Sequence, residues 1–290
     1  MSAARDGVDV IVRFHNLARL GELRRAVFSL AGQEFRPIRI LLVLQRFSDA
    51  DVATVRAALA PLLALPEQLA LEVLRFDAQE PLDARSALMN LGFAAATARY
   101  VALLDYDDVL YPEAYRMLSD RLRESGAAIA FGNIGVAMVD VHEGFFHAYA
   151  HQQPFSGNSL ADLFRQNFCP IHSFMVDRTR VPAGELRFEP ALTIEEDYEF
   201  LLRICSQARS DFTLVNTRIG EYYYKSDNSN TVAGRDSIPP AVVAQIEAAT
   251  RFNDGRRRLA TLSPAVQSQL GLEPYQPGLT IHRFLVERSA

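Results

Sequence analysis

The sequence predicts an α/β protein built on a mostly parallel central sheet flanked by helices, with a smaller mixed half behind it and a helical C-terminal tail. Two observations predict this. Strand-like apolar runs alternate with helical stripes four times up to about residue 125, on short connections, which is the pattern of a doubly wound parallel sheet. The fourth run, Tyr100–Leu104, is apolar and is followed by three carboxylates within four positions, Asp105, Asp107 and Asp108. A buried strand that ends in acids marks the edge where open α/β sheets bind ligands.

The elements follow in order. Val8–Val12 reads as a short buried strand, with His15-Asn16 after it. Leu20, Leu23, Val27 and Leu30 then fall at helical spacing, and Gly32 ends that helix. Pro37 introduces a second strand, Ile38–Leu44, which turns at Gln45-Arg46-Phe47. Ser48-x-x-Asp51 is a capping box for a helix with the stripe Val52, Val55 and Leu59, broken by Pro61 and Pro66. Leu71–Phe76 is a third strand, and Asp83 caps a helix reaching Ala96. After the Tyr100–Leu104 strand, Pro112 opens a helix to about Ser125. In a parallel sheet the strand carboxyl ends share one edge, so His15, Asn16, Gln45–Ser48, Asp77 and Asp105–Asp108 should line one crevice.

The rhythm then changes. Ala127–Ile134 reads as a strand, and Val136–Ala150 as a ribbon turning at Glu143-Gly144. A short helix at Leu160–Arg165 and a strand at Ile171–Val176 follow. A helix runs from near Ile194 to about Ala208, then a strand from Phe212 to Tyr224. Ser226–Asp236 reads as a polar loop, and the tail from Pro239 as helical.

Both acidic stretches carry chemistry. Side chains alternate along a strand, so Asp105 and Asp107 leave on one side with Cα atoms roughly 6.6 Å apart. Such a pair can grip one hard cation, or a cation and a sugar hydroxyl. Without a cation, one of them would take up a proton. The plain alternative is that acids merely terminate the strand. Thr193-Ile194-Glu195-Glu196 reads as a second capping box, which puts Asp197 in the first turn of a helix. The positive end of the helix would keep Asp197 ionised, as a general base must be. The alternative is that Glu195, Glu196 and Asp197 are ordinary first-turn acids.

Composition narrows the partners. Of 290 residues, 49% are hydrophobic and 22% charged, which are globular values. A net charge of −5 argues against a general nucleic-acid binder. Lys225 is the single lysine. Cys169 and Cys205 sit in apolar contexts and make no disulfide framework. No apolar run reaches membrane-spanning length, and the opening residues read as a strand rather than a signal peptide. The expectation is a cytoplasmic protein. Arg256–Arg258, with Arg251, offer a peripheral contact to anionic lipid at the inner face of a membrane. A solvated helix face is the simpler account.

At this point the residues resemble the family-2 inverting glycosyltransferases of the GT-A fold. The resemblance runs in order over roughly Val8 to Thr231. It rests on the opening strand with His15-Asn16, on Gln33 with Pro37-Ile38-Arg39-Ile40, and on Asn90-Leu91-Gly92-Phe93 before Ala98–Asp105. Asp105-Tyr106-Asp107-Asp108 sits where that family has its DxD signature. Phe188-Glu189, then Glu196-Asp197-Tyr198-Glu199 and Arg203, are similar to its downstream acidic motif.

The resemblance implies a metal-dependent transfer of a sugar, of the hexosyl type, from a nucleotide diphosphate donor to a hydroxyl in polysaccharide, glycan or glycolipid synthesis. It implies Mn²⁺ or Mg²⁺ held by Asp107 with Asp105, and Asp197 as the base. His15, Asn16, Gln45, Asp77, Arg85 and Asp105 would bind the donor nucleotide. Glu196, His172, Asn228 and Ser229 would face the acceptor or form a lid, although His172 also reads as a structural histidine and Arg85 as a surface ion pair. Residues 1–125 would be the nucleotide-sugar half, 126–236 the acceptor half and 237–290 a helical extension. The acceptor would be a carbohydrate or lipid-linked, with no nucleic acid involved. One departure stands out: the family carries acids after its second strand, and here that turn is Gln45-Arg46-Phe47-Ser48. Base recognition would then rest on Asp77 and Arg85, or on Gln45. Two other readings are a haloacid-dehalogenase-like phosphatase, whose first Asp-x-Asp motif also fits Asp105–Val109, and a non-catalytic sugar- or nucleotide-binding module.

Overall fold

The structure is a computed structural model that describes residues 5–142, 145–182, 184–227 and 240–288. The first half alternates as the sequence predicts: β1 (Arg5–Phe14), α1 (Leu20–Ala31), β2 (Ile38–Gln45), α2 (Asp49–Leu63), β3 (Leu69–Phe76), α3 (Arg85–Ala95) and β4 (Ala98–Leu103). Then come β5 (Val109–Leu110), α4 (Ala114–Ser125), β6 (Ile129–His142), β7 (Phe145–Gln152), α5 (Leu160–Arg165), β8 (Phe174–Asp177), α6 (Glu196–Gln207) and β9 (Ser210–Lys225). Three helices close the chain: α7 (Pro240–Leu259), α8 (Pro264–Gln269) and α9 (Ile281–Glu287).

All nine of these strands join one sheet, in the order β3-β2-β1-β4-β8-β6-β9-β5, with β7 paired to β6. The pairs β3/β2, β2/β1 and β1/β4 are parallel. β8 runs antiparallel between β4 and β6, and β6 lies parallel to β9. This is the mixed half. β1 is longer than its apolar core Val8–Val12 because it pairs on both sides, with β2 and with β4. The central strands of the sheet are mostly apolar because helices cover both faces.

Local rules account for most boundaries. The Ser48/Asp51 capping box forms as expected. Pro61 does not end α2, which continues to Leu63. α3 begins at Arg85 with Ala84 at its cap; Asp83 accepts from the Arg85 N–H instead of capping the helix in the usual way. Pro112 lies just ahead of α4 rather than inside it. The expected turn at Glu143-Gly144 lies outside the described residues, as does most of the polar loop after Ser226.

Two contacts fix how the helices approach the sheet. A Cβ on Gly92 would lie 2.5 Å from Cγ2 of Ile11, so only glycine lets α3 come this close to β1. The Gln33 amide donates to the Tyr111 carbonyl at 2.6 Å and accepts from the Tyr115 N–H at 3.0 Å. That ties the end of α1 to the segment that follows the acidic cluster. The C-terminal helices are part of the same core: Leu262, Val266, Leu279, Ile281 and Phe284 pack in the cluster that contains Phe164 and Phe200.

Candidate active site

The parallel strands deliver three functional side chains to one edge. Register pairs Phe14 with Leu44 and Ile11 with Leu103, so Arg13, Gln45 and Asp105 arrive together. They border a polar cavity of about 420 Å³ with His15, Arg85, Tyr106 and Asp107. The Gln45-Arg46 turn that departs from the family pattern has a structural task. Arg46 takes a left-handed backbone (φ 58°). Its guanidinium donates to the carbonyls of Ala78 (2.8 Å), Gln79 (2.7 Å) and Pro81 (2.5 Å). Gln45 donates to the carbonyl of Leu82 at 3.0 Å. The turn therefore fastens the loop after β3 against the cavity.

Each acid of the first cluster has its own partner. Arg13 donates to both oxygens of Asp105, at 2.9 and 3.3 Å. Burial alone would push Asp105 up; the Arg13 charge and its hydrogen bonds bring it below the usual carboxylate range. Asp107 accepts from the ammonium of Lys225 at 2.6 Å, and the same ammonium reaches Glu22 at 2.9 Å. Asp108 is buried beneath them and accepts from the Tyr223 N–H at 3.1 Å. Burial, with Asp107 and Asp105 nearby, pushes Asp108 well up. His172 Nδ1 lies 3.4 Å from Asp108, and burial pushes that imidazole down to about 4, so it is neutral near pH 7.

The second acidic motif folds differently from its expected capping box. Glu195, not Thr193, occupies the cap position of α6, in a left-handed conformation (φ 55°) with no side-chain cap bond. A non-glycine residue there is strained and needs surrounding support. Asn253 of α7 supplies some of it by donating to Glu195 at 3.0 Å. Two ties from α3 anchor the segment that leads into it. Asn90 exchanges hydrogen bonds with the backbone of Phe188 (3.0 and 2.6 Å), and Ser86 donates to the Leu192 carbonyl at 2.8 Å.

The kink sends Glu196 and Asp197 into a second cavity of about 670 Å³. Apolar and aromatic side chains line much of it, among them Val136, Met138, Phe155, Ile171 and Tyr224, and His172 also faces it. The two cavities share Arg13, Arg85, Asp105 and Tyr222. Arg13 joins them physically, since its Nη1 donates to Glu196 at 3.1 Å. Asp197 accepts from the Tyr198 N–H at 2.7 Å. The helix end does not keep it strongly ionised, as the sequence suggested. Burial and the neighbouring Glu196 push its pKa up to about 7, against the pull of that N–H and of Arg13.

Other sequence candidates fall elsewhere. Asn16 spends its side chain capping a short 3-10 turn, accepting from the Ala18 N–H at 3.0 Å. Asp77 is exposed, lies 3.4 Å from Arg75 and borders neither cavity. Arg85 pairs with Asp83 at 3.0 Å yet still borders both cavities. Asn228 and Ser229 lie outside the described residues. Within the C-terminal arginine cluster, Arg256 pairs with Glu199 at 2.7 Å, and Arg257 donates to the Phe164 carbonyl and the Tyr198 hydroxyl. Those two brace α6 instead of presenting a free basic face. Among the described residues no helix is long and apolar enough to cross a membrane.

Sequence reasoning missed Arg13, Glu22 and the placement of Lys225. An arginine directly after an apolar strand, on the edge that holds Asp105, was the available signal for the first. Glu22 and Lys225 meet only through the tertiary fold.

The chemistry of the first cluster suits a hard cation, since carboxylate oxygens are the ligands that Mg²⁺ and Mn²⁺ favour. No group of three or more His, Cys, Asp or Glu among the described residues could hold a metal by itself.

A polar cleft at the carboxyl edge of a parallel sheet, meeting a second cavity that holds Asp197, lies where open α/β enzymes bind their ligands. The comparisons say which kind. The glycosyl transferase family 2 model matches residues 9–179, more than half of the chain, and the protein belongs to that family. It is a glycosyltransferase, and the phosphatase reading is thereby set aside. A curated relative, the succinoglycan biosynthesis protein ExoO of Rhizobium meliloti (strain 1021), is 30% identical over 184 residues, covering 61% of this chain and 50% of that protein. The chain thus spans about half the length of this relative. Among solved structures, S. aureus TarS 1-349 in complex with UDP superposes with a TM-score of 0.60 at 15% identity, over 91% of this chain and 69% of that one. Its complex with UDP-GlcNAc gives 0.61 at 14% identity, over 91% and 70%. These likenesses place the fold among GT-A glycosyltransferases.

Proposed function

We propose that the protein transfers a sugar from a nucleotide diphosphate donor to an acceptor hydroxyl with inversion, in the synthesis of a polysaccharide or related glycan. The observation that carries this reading is the junction at Arg13, where the polar cavity holding Asp105 and Asp107 meets the apolar cavity holding Asp197. UDP and UDP-GlcNAc in the TarS complexes, and the succinoglycan biosynthesis role of ExoO, support the donor and product classes.

In this reading residues 1–125 form the donor half and 126–236 the acceptor half, while the helices from 240 onward brace α6. The nucleotide lies between the Gln45-Arg46 turn, the loop it fastens and Arg85. Asp107, with Asp105, would hold Mg²⁺ or Mn²⁺, whose charge offsets that gained by the departing nucleoside diphosphate. The acceptor lies in the larger cavity, where Phe155, Tyr222 and Tyr224 offer ring faces to a carbohydrate. Asp197, once ionised, takes the acceptor proton as the hydroxyl attacks the anomeric carbon from the side opposite the diphosphate. One displacement of this kind inverts that carbon without a covalent intermediate.

The test is a melting-temperature titration with UDP, GDP, CDP and dTDP, each with and without Mn²⁺. A ligand that binds only the native state raises stability with the logarithm of its concentration over Kd. A Mn²⁺-dependent rise for one nucleotide supports the reading and names the donor class. No rise with any of them contradicts it.

A further inference from the structure

Lys225 is the only lysine in the chain, and it is 2% exposed. It ends β9, beside Val139 of β6, and its ammonium sits between two carboxylates: Asp107 Oδ2 at 2.6 Å and Glu22 Oε2 at 2.9 Å. Glu22 lies in the first turn of α1, is itself buried, and has a second cation in Arg19 at 2.7 Å. Asp107 is the carboxylate proposed above to ligate a metal, and this inference rests on that reading.

A Mg²⁺ or Mn²⁺ ligand bond is about 2.1 Å long. A metal on Oδ2 of Asp107 would compete with an ammonium 2.6 Å away for the same lone pairs. A metal on the other oxygen would face that ammonium across a single carboxyl group. The ammonium is buried and Asp107 is only partly exposed, so water screens this repulsion incompletely. The residue type fits a movable cation. Lysine is a compact point charge on a flexible stem, whereas the planar fork of arginine commits it to one geometry. Arg13, the partner of Asp105, is such a fork.

We propose that Lys225 is a resident cation on Asp107 that divalent metal must displace, with Glu22 as the carboxylate that retains the ammonium after displacement. Donor-free protein then binds Mg²⁺ weakly because its own lysine already neutralises the site. Glu22 is explained by the same device: it keeps the displaced ammonium paired inside the fold, where an unpaired buried charge would be costly.

Because the chain has one lysine, ¹⁵N-lysine labelling of the full chain gives one side-chain ammonium resonance. Mg²⁺ is titrated into it, with calorimetry alongside, in the absence and presence of UDP. The expected result is a Lys225 resonance that shifts with the same half-saturation as the heat. K225M should take up Mg²⁺ at least tenfold more tightly, or should take it up where the wild type does not. Mg²⁺ uptake with an unmoved resonance overturns the proposal, and so does unchanged affinity in folded K225M. If K225M fails to fold, the wild-type resonance alone decides. No uptake by either protein, with or without UDP, removes the metal from the proposed function and this inference with it.

Discussion

Arg13 Nε lies 2.9 Å from Asp105 Oδ1, while its Nη1 lies 3.1 Å from Glu196 Oε1. One guanidinium thus fixes the distance between two acidic motifs that are far apart in sequence. Both partners are mostly buried, so removing Arg13 leaves two carboxylates without their cation. Breaking a buried ion pair from one side costs about 3–5 kcal/mol. Arg13→Met should lose stability on that order in urea unfolding. Arg13→Lys should recover part of it, since the charge returns without the fork.

The Asp197 carboxyl predicts a pH profile. Its pKa is pushed up to about 7, so the group is protonated below that pH and ionised above it. A base must be ionised, so kcat should rise with pH through about 7. Glu196 is one cause of the raised value, so Glu196→Gln should move the rising limb to lower pH. Rates measured from pH 5.5 to 9 check this; a limb that stays put in Glu196→Gln would contradict the assigned cause.

The Arg46 guanidinium holds four carbonyls of the loop bordering the proposed donor cavity. Hydrogen bonds from a charged donor contribute about 1.5–3 kcal/mol each. Arg46→Ala should loosen that loop, raising the donor KM about tenfold or more with a smaller change in kcat. Steady-state kinetics against the donor measure it directly.

Gly92 has no room for a methyl group, since its Cβ would lie 2.5 Å from Ile11 Cγ2 in the centre of β1. Gly92→Ala should cost about 1–3 kcal/mol, the range for overpacking a tight core. Chemical denaturation reads the loss, and a neutral result would mean that α3 can move off the sheet at little cost.

Much of this architecture was legible in the residues. The apolar run Tyr100–Leu104 and the alternating pattern before it fixed the parallel half, and β4 lies where they place it. Helical spacing and the Ser48/Asp51 box gave the helices. The acidic motifs led to Asp105, Asp107, Glu196 and Asp197, which the fold brings to adjoining cavities. Local pattern failed where tertiary contact decides. Thr193–Glu196 has the letters of a capping box, yet Glu195 sits in a left-handed kink that Asn253 bonds, after a segment that Asn90 and Ser86 tie to α3. Asn16 looked like a ligand group and is a cap, because its side chain finds the Ala18 N–H two residues on. Asp197 looked ionised from its helix position, but burial beside Glu196 outweighs the helix end. The pairing of Lys225 with Asp107 spans 118 residues and has no local signature.

The most direct test of the account compares Asp197→Asn with Asp107→Asn for donor-nucleotide binding and for sugar transfer. Asp197→Asn should bind nucleotide as the wild type does while transfer falls by about 10²–10⁴, the usual contribution of a general base. Asp107→Asn should lose the Mn²⁺-dependent part of nucleotide binding. Transfer at the wild-type rate by Asp197→Asn would contradict the central claim that this carboxylate activates the acceptor.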